Sequence, residues 1–159
     1  MKKICYSPIG IVHSEFKDKT NIPIQPVFSD NRGVLEVFPE FSEGLKDLEG
    51  FSHIFLIYHF HLSKGFSLKV KPFLDDIGRG VFSTRAPRRP NNIGLSILKI
   101  QRIEDNMIFV SEIDIIDKTP ILDIKPYVSH FDYRFDVKDG WLSNKINTKK
   151  YLSDNRFFL

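Results

Sequence analysis

The stretch GLSILKIQRIEDNMIFVSEIDII, residues 94–116, decides the fold of this chain. Its two halves, 94–104 and 107–116, carry the isoleucine, valine and phenylalanine residues that are typical of β-strands. Asp105 and Asn106 lie between the halves, and both residue types favour tight turns. The stretch therefore predicts an antiparallel β-hairpin.

Strand patterns continue on both sides of this hairpin. The most apolar stretch, HIFLIYHFHL (53–62), predicts a central strand, and a short helix is expected over 39–50, with Ser42 as its N-cap and Gly50 as its stop. Further strands are predicted for 4–14 with a kink at Ser7-Pro8, for GVLEVF (33–38), for SLKVKPFL (67–74) and for LDIKPYV (122–128). Six or seven strands against one or two short helices favour a mainly β fold, a largely antiparallel β-barrel.

Composition limits the classes of protein to consider. The 159 residues suit one domain, and 42% hydrophobic with 27% charged residues is typical of a soluble globular protein. The single cysteine, Cys5, excludes an internal disulfide framework and fits a reducing compartment. No apolar run approaches the length of a membrane span. A cytoplasmic location is expected.

Positive charge is concentrated in one segment. Between Ile77 and Ile103 there are six basic residues and no acidic one, whereas the rest of the chain has 17 basic and 20 acidic residues. Three of the six, Arg85, Arg88 and Arg89, lie in the proline-stiffened loop STRAPRRPNNIGLS (83–96). Arginine offers a planar fork for carboxylate or phosphate, and prolines hold such a fork in place at a lower entropic cost. We expect this loop to contact a ligand; the alternative is a solvated turn.

Two other patterns bear on chemistry. Asp123, Lys125 and Tyr127 alternate along an extended segment, which suits proton handling or substrate binding but also describes a strand with one face in water. His53, His59 and His61 have the same parity, as in a His-x-His metal site. Because no cysteine or carboxylate has matching spacing, we expect no metal and favour a hydrogen-bonded histidine that lines a pocket.

The chain resembles the TsaA-like or TrmO family over roughly residues 4–142. The family hallmark, ATRSPxRPNxIGLS, appears as STRAPRRPNNIGLS with changes at Ser83 and Ala86. Further motifs match in the same order: PIGIVHS (8–14), IPIQ (22–25), LEGFSHI (48–54), Phe60-His61, and TPILDIKPYV (119–128), which is preceded by Lys118 in place of a usual glycine. The resemblance implies a β-barrel that uses S-adenosyl-L-methionine and methylates N6 of threonylcarbamoyl-adenosine beside the anticodon of a tRNA.

The resemblance also implies roles for individual residues. Arg85 and Arg89 would pair with the cofactor carboxylate or stack on its adenine. The other expected cofactor-binding residues are Gln25, His61, Thr84, Asn91, Leu95 and Ser96. Asp123 or Tyr127 would accept or orient the proton of the target amine, and Lys125 would hold polar groups of the substrate.

The expected assembly is a homodimer with the cofactor near the subunit interface. Residues 1–142 are expected to form the barrel domain and residues 143–159 a C-terminal tail, without the RNA-binding domain that some family members add. Two alternatives are a non-catalytic module that binds S-adenosylmethionine or RNA, and a methyltransferase for another RNA or a small molecule. The set of Asp123, Lys125 and Tyr127 distinguishes an enzyme from the non-catalytic module, since a sensor needs the arginine loop but not this set.

Overall fold

Six antiparallel strands form a closed barrel. The structure is a computed structural model that describes residues 3–145 and 152–154, apart from the side chain of Phe28. Its strands are β1 (Gly10–His13), β2 (Arg32–Val37), β3 (His53–His59), β4 (Lys69–Val70), β5 (Arg79–Gly80), β6 (Ile93–Glu104), β7 (Met107–Ser111) and β8 (Pro120–Pro126). The barrel order is β1-β2-β7-β6-β3-β8, and it closes because β1 also pairs with β8. The predicted mainly β, antiparallel barrel is confirmed.

The predicted hairpin is strands β6 and β7. They pair antiparallel from Glu104 and Met107 outward, and Asp105 takes a left-handed φ of 52° in the turn. The side-chain amide of Asn106 donates to the carbonyl of Val37 at 2.7 Å, which ties the turn to β2. Turn chemistry therefore fixes the register in which the two longest apolar runs face each other.

Alternation along the strands fills the barrel with aliphatic side chains. On β3 and on the first half of β6, up to Leu98, every second residue is buried, and the intervening ones face outward. The fully buried side chains include Val12, Leu35, Ile54, Leu56, Leu98, Ile108, Val110 and Ile121, with contributions from every barrel strand. Full burial of each such side chain contributes about 1.5–3 kcal/mol, so this interior is the main source of stability.

Several local predictions were wrong. The helix expected over 39–50 is instead two 3₁₀ segments, Pro39–Leu45 and Leu48–Gly50, because Asp47 between them has a φ of 65°. The Ser42 hydroxyl donates to the Pro39 carbonyl and does not cap a helix. Only Lys69–Val70 of the strand expected over 67–74 is paired, and its partner is Arg79–Gly80.

Short helical turns and the segment 152–154 lie outside the barrel strands. One four-residue helix, α1 (Ser129–Asp132), follows β8, and Gly140–Leu142 form a 3₁₀ turn. The predicted division at residue 142 stays a prediction, because most of the expected tail lies outside the described residues. Its described parts are 143–145 and 152–154, and the second of them pairs with the 21–23 segment through a Pro23–Leu152 bridge. Among the described residues, no helix is long and apolar enough to span a bilayer.

Candidate binding site at one end of the barrel

A cavity of about 300 Å³ opens at the end of the barrel where β3 ends and β6 begins. The loop over 19–25, the arginine loop and the connection between β7 and β8 complete its wall. Its lining includes Lys19, Ile22, Gln25, Tyr58, Phe60, His61, Phe73, Thr84, Arg85, Arg89, Ile93, Leu95, Asp114, Thr119, Ser153 and Asp154. Apolar walls with a few polar groups of both charge signs are the usual make-up of a small-molecule site.

Asp114 is the most perturbed acid in this wall. It follows β7, where Glu112 takes a φ of 63° and ends the strand. The Ser96 hydroxyl donates to Asp114 Oδ1 at 2.8 Å. Burial raises the pKa of the Asp114 carboxyl to about 7, while the Ser96 hydrogen bond and the charge of Arg85 oppose this rise. A carboxyl that can hold or lose a proton near neutral pH therefore faces the cavity.

A buried tyrosine supports this carboxyl from below. The Tyr58 hydroxyl lies 3.2 Å from Ser96 Oγ. Because Ser96 has one proton and gives it to Asp114, Tyr58 is the donor in this contact. Gly94 makes the arrangement possible, since a Cβ at this position would stand 2.3 Å from the Tyr58 ring. The glycine of the IGLS segment is thus required by a close contact between β3 and β6.

The two arginines of the predicted site differ in their surroundings. Arg89 donates from one guanidinium nitrogen to the carbonyls of Val81, Thr84 and Ala86, at 3.1, 2.8 and 3.4 Å. It therefore braces the loop in which it lies. Arg85 is exposed, and its guanidinium donates to the side-chain oxygen of Gln25. Of the two, Arg85 has more freedom to meet a ligand.

A cluster of cations lies at the rim of the cavity. Burial lowers the pKa of Lys19, and the nearby charges of Lys64 and Arg88 lower it further. Burial, then His59 and Lys19, lower the pKa of His61, so this ring is neutral at physiological pH. Its Nδ1 lies 3.3 Å from the Thr119 hydroxyl, which donates its own proton to the Ile116 carbonyl. Positive charge at the rim suits an anionic partner.

A second, larger cavity of about 1050 Å³ adjoins the first. Both are lined by Gln25, Thr84 and Arg85, so these side chains form a shared wall. The aromatic side chains that line the second cavity are His53, Phe73, Phe82, Tyr127 and Trp141. Such a surface offers planar faces on which a nucleobase can stack.

The structure brings together most of the predicted cofactor residues. Gln25, His61, Thr84, Arg85, Arg89 and Leu95 line the first cavity, and Ser96 lies beneath it. Asn91 is exposed and is not among the described residues that line either cavity. His61 follows the end of β3, so it does not share a strand face with His53 and His59.

The predicted catalytic residues lie elsewhere in the chain. Asp123 and Lys125 form an ion pair at 2.8 Å on the outer face of β8. Asp123 lines a third depression beside Phe41, away from Arg85. Tyr127 packs on Phe55 with ring centroids 5.5 Å apart and lines the second cavity. Within one chain, the three side chains do not converge on the first cavity.

Sequence reasoning missed three contributors to the site, Asp114, Tyr58 and Ser153. Asp114 and Tyr58 have no motif of their own, although an acid between Ile113 and Ile115 is an unusual neighbour for two buried residues. Asn92 donates to Ser63 and to the Pro87 carbonyl, which fixes the loop from the other side. The Ser153 hydroxyl donates to the Lys19 carbonyl, so the 152–154 segment holds the 19–25 loop against the cavity.

A small antiparallel barrel with an arginine-walled cavity at one end defines a class of ligand-binding barrel that differs from the doubly wound nucleotide-binding folds. A family model described as the tRNA-methyltransferase O N-terminal domain matches residues 11–133. The chain belongs to this TrmO family.

Named relatives and solved structures agree with this family. A probable S-adenosyl-L-methionine-binding protein of Pyrococcus abyssi is 52% identical over 157 residues, which is 98% of this chain and 85% of the relative. The human tRNA (adenine(37)-N6)-methyltransferase is 41% identical over 79% of this chain and 30% of its own length. The crystal structure of TrmO from Pseudomonas aeruginosa matches with a TM-score of 0.74 and 38% identity, over 88% of this chain and 63% of that one. The chain thus spans less than two thirds of the TrmO structure.

Proposed function

We propose that this protein is an S-adenosylmethionine-dependent methyltransferase that acts on N6 of threonylcarbamoyl-adenosine beside the anticodon of a tRNA. The observation that carries the proposal is the first cavity, because the family hallmark STRAPRRPNNIGLS supplies its arginine wall. The human relative is named as a methyltransferase for N6 of adenine 37 of tRNA, which supports the same class of reaction here. A tRNA substrate and the single exposed cysteine also favour a cytoplasmic location.

The first cavity fits the cofactor chemically. A volume of about 300 Å³ is at the lower end of the range for small-molecule sites. Arg85 and Lys19 suit the carboxylate of the methionyl group, and the apolar side chains of Phe60, Ile93 and Leu95 suit the adenine. When bound, S-adenosylmethionine supplies a methyl group already activated by its sulfonium. The residues of this chain therefore have to orient the two reactants and manage one proton.

The second cavity is the proposed place for the target nucleoside. It shares the wall of Gln25, Thr84 and Arg85 with the first, so a molecule in it lies next to the cofactor. Phe82 and Trp141 offer stacking faces, and Phe82 is 76% exposed. Tyr127 lines the same cavity, which supports its proposed role in orienting the amine.

The cation cluster at the rim is the proposed contact for tRNA phosphates. Lys64 and Arg88 lie close enough to Lys19 for their charges to lower its pKa, in addition to the effect of burial. Neutralising phosphates with such side chains releases counterions, so binding should weaken steeply as salt rises. Arg88 lies at a variable position of the family hallmark, so this contact would be a property of this chain.

A homodimer is proposed through the outer sheet face, the name used here for the outward side chains of β3, of β8 and of residues 93–97 of β6. Phe55 and Ile57 of β3 stand opposite Ile97 and Leu95 of β6. Ile93, Leu95 and Ile97 are 40%, 49% and 38% exposed, which makes a continuous apolar surface. Lys125 and Asp123 of β8 pair with the same two β3 residues, so the predicted catalytic pair edges this surface.

In such a dimer, Asp123 and Lys125 would act at the cavity of the partner copy, although they do not reach the first cavity of their own chain. Leu95 and Ile93 belong to both the outer sheet face and the first cavity, so a second copy on the face would lie beside the cavity. Asp123 and Lys125 of one copy would then face the reactants held by the other. Asp123 would accept or orient the amine proton, and Lys125 would hold polar groups of the substrate.

Methyl transfer to defined RNAs tests the proposal. Purified protein with S-adenosylmethionine should methylate a tRNA that carries threonylcarbamoyl-adenosine, and mass spectrometry of the nucleosides should place the methyl group on N6. Arg85→Ala should lose most of this activity, while Arg102→Ala, an exposed arginine of β6 that pairs with Glu104, should retain it.

The other outcomes identify the alternatives. Binding of S-adenosylmethionine with no transfer to any tRNA would indicate a non-catalytic module. Transfer to an unmodified transcript, or to a nucleoside other than the threonylcarbamoyl derivative, would assign a different substrate.

A further inference from the structure

The two carboxylate oxygens of Asp114 differ, because only one of them accepts a hydrogen bond from another side chain. Oδ1 accepts the hydrogen bond from Ser96, at 2.8 Å. The residue's own backbone N–H also acts on the carboxyl, no other described residue forms a hydrogen bond or ion pair with Oδ2, and Asp114 lines the first cavity. A carboxyl held by one oxygen with the other toward a cavity is in position to bind a hydrogen-bond donor or a cation.

The position of this carboxyl is fixed by buried groups. Ser96 is 2% exposed and Tyr58 is 6% exposed, and their hydroxyls form a chain that ends on Asp114. Gly94 allows the Tyr58 ring to lie against the β6 backbone. Three residues of two strands thus orient one carboxyl, which is preorganisation of the kind that a binding site needs.

The cavity wall contains more basic than acidic side chains, and a carboxylate offsets part of this positive charge. Three cations, Lys19, Arg85 and Arg89, line the cavity with two acids, Asp114 and Asp154, so the wall keeps an excess of positive charge that would repel a ligand with positive groups. S-adenosylmethionine has a carboxylate, but it also has an α-ammonium and a sulfonium. Burial raises the pKa of Asp114 to about 7, and a cation next to the carboxyl would lower it again. Ionising this buried carboxyl costs free energy when no cation neutralises its charge, and a bound cation would offset that cost.

The two positive groups of the cofactor differ in what a carboxylate would do to the reaction. The sulfonium loses its charge as the methyl group leaves, so a carboxylate beside it would stabilise the reactant more than the transition state. The ammonium keeps its charge throughout, and it offers three hydrogen-bond donors. We propose that Asp114 binds the α-ammonium group of S-adenosylmethionine, an inference that depends on the proposed use of this cofactor.

Titration with three ligands distinguishes ammonium binding from the other possible roles of Asp114. S-adenosylmethionine and S-adenosylhomocysteine both carry the α-ammonium, but only the first carries a sulfonium. Methylthioadenosine has the adenine, ribose and sulfur without the amino-acid group. Calorimetric titration of each into wild type, Asp114→Asn and Glu104→Gln measures affinity without any transfer step. Glu104 is an exposed acid that pairs with Arg102, so Glu104→Gln is the matched control.

The expected result is a selective loss. Asp114→Asn should lower the affinities for S-adenosylmethionine and S-adenosylhomocysteine by the same factor, about ten- to a hundred-fold, because a charge-assisted hydrogen bond is removed. Its affinity for methylthioadenosine should stay within about two-fold of wild type. Ser96→Ala, which keeps the carboxyl but removes its support, should give the same selectivity with a smaller loss. The control should match wild type with all three ligands.

Each contrary result would indicate a different role for Asp114. A loss confined to S-adenosylmethionine would place the carboxyl at the sulfonium, and an equal loss for all three ligands would make it part of the nucleoside site. Unchanged affinities together with slower methyl transfer would make it a proton acceptor for the substrate. Failure of the wild type to bind any of the three would instead overturn the proposed function.

Discussion

Asp114 combines a buried position with a pKa of about 7, and this has a measurable effect on stability. In the unfolded chain, an aspartate has a pKa near 3.9. Between about pH 4 and pH 7 the folded state holds a proton that the unfolded state has lost, so the free energy of unfolding falls as pH rises. Asp114→Asn keeps the shape and cannot ionise.

We expect Asp114→Asn and wild type to unfold at similar temperatures at pH 5. At pH 8 the variant should unfold about 3–8 °C higher, because it no longer contains a buried charge. Calorimetric scans at both pH values check this. An equal difference at the two pH values would mean that ionisation of Asp114 is not the cause.

Substitution of Arg85 and substitution of Arg89 should have different effects on binding and stability. Arg89 braces three carbonyls of its loop, whereas Arg85 contacts Gln25 at the cavity wall. Arg85→Ala should weaken S-adenosylmethionine binding about ten- to a hundred-fold with little change in stability. Arg89→Ala should also lower the free energy of unfolding, by about 1–3 kcal/mol, since it removes charge-assisted hydrogen bonds to the Thr84 and Ala86 carbonyls. The Val81 carbonyl, by contrast, still accepts from Thr84. Titrations and urea unfolding of both variants distinguish a binding arginine from a bracing one.

At the scale of elements, the contact between β3 and β6 depends on Gly94. A methyl group there would stand 2.3 and 2.4 Å from two ring atoms of the buried Tyr58. Gly94→Ala should therefore lower the free energy of unfolding by about 2–4 kcal/mol, and it should displace the hydroxyl that supports Ser96. Gly44→Ala is the control, because a methyl group at Gly44 meets nothing within 4 Å. Urea unfolding measures both, and equal stability of the two variants would contradict the argument.

Elements set by local chemistry could be predicted from the sequence, and those set by tertiary partners could not. The β6–β7 hairpin follows from a turn pair, Asp105-Asn106, between two apolar runs. The alternating pattern over 67–74 gives two paired residues, because the segment that lies beside it, Arg79–Gly80, is itself only two residues long. The sequence predicts a helix over 39–50 between Ser42 and Gly50, but a left-handed residue, Asp47, divides it.

The candidate site could be predicted only in part, for a similar reason. The arginine loop has a dense local pattern, and its members Thr84, Arg85 and Arg89 line the cavity. Asp114 lies after Glu112, whose φ of 63° interrupts the alternation that assigns residues to the inside or outside of a strand. The face on which Asp114 lies therefore depends on a backbone conformation that residue types alone do not reveal.

At the scale of the whole molecule, the outer sheet face is the surface to test for dimerisation. Ile97 lies at its centre, opposite Phe55, and is 38% exposed. Ile97→Glu places a charge in the proposed interface and should shift sedimentation at micromolar concentration from dimer to monomer. Leu68→Glu changes a 60% exposed leucine outside this face and should leave the dimer intact. A wild-type monomer at this concentration, with S-adenosylmethionine present, would contradict the proposed assembly.

The dimer makes one further prediction, about which chains complete each reaction site. Within one chain, Asp123 is paired with Lys125 away from the cavity that Arg85 lines. If the partner copy supplies Asp123, then Arg85→Ala and Asp123→Asn should each be inactive alone yet restore activity when unfolded and refolded together. In an equal mixture, half of the dimers are mixed and each has one intact site, so methyl transfer should recover to about a quarter of the wild-type rate. Refolding each variant with Arg102→Ala instead serves as the control for partial activity. No recovery in the mixture would place both residues in the same site of one chain, and full activity of Asp123→Asn alone would remove Asp123 from the reaction.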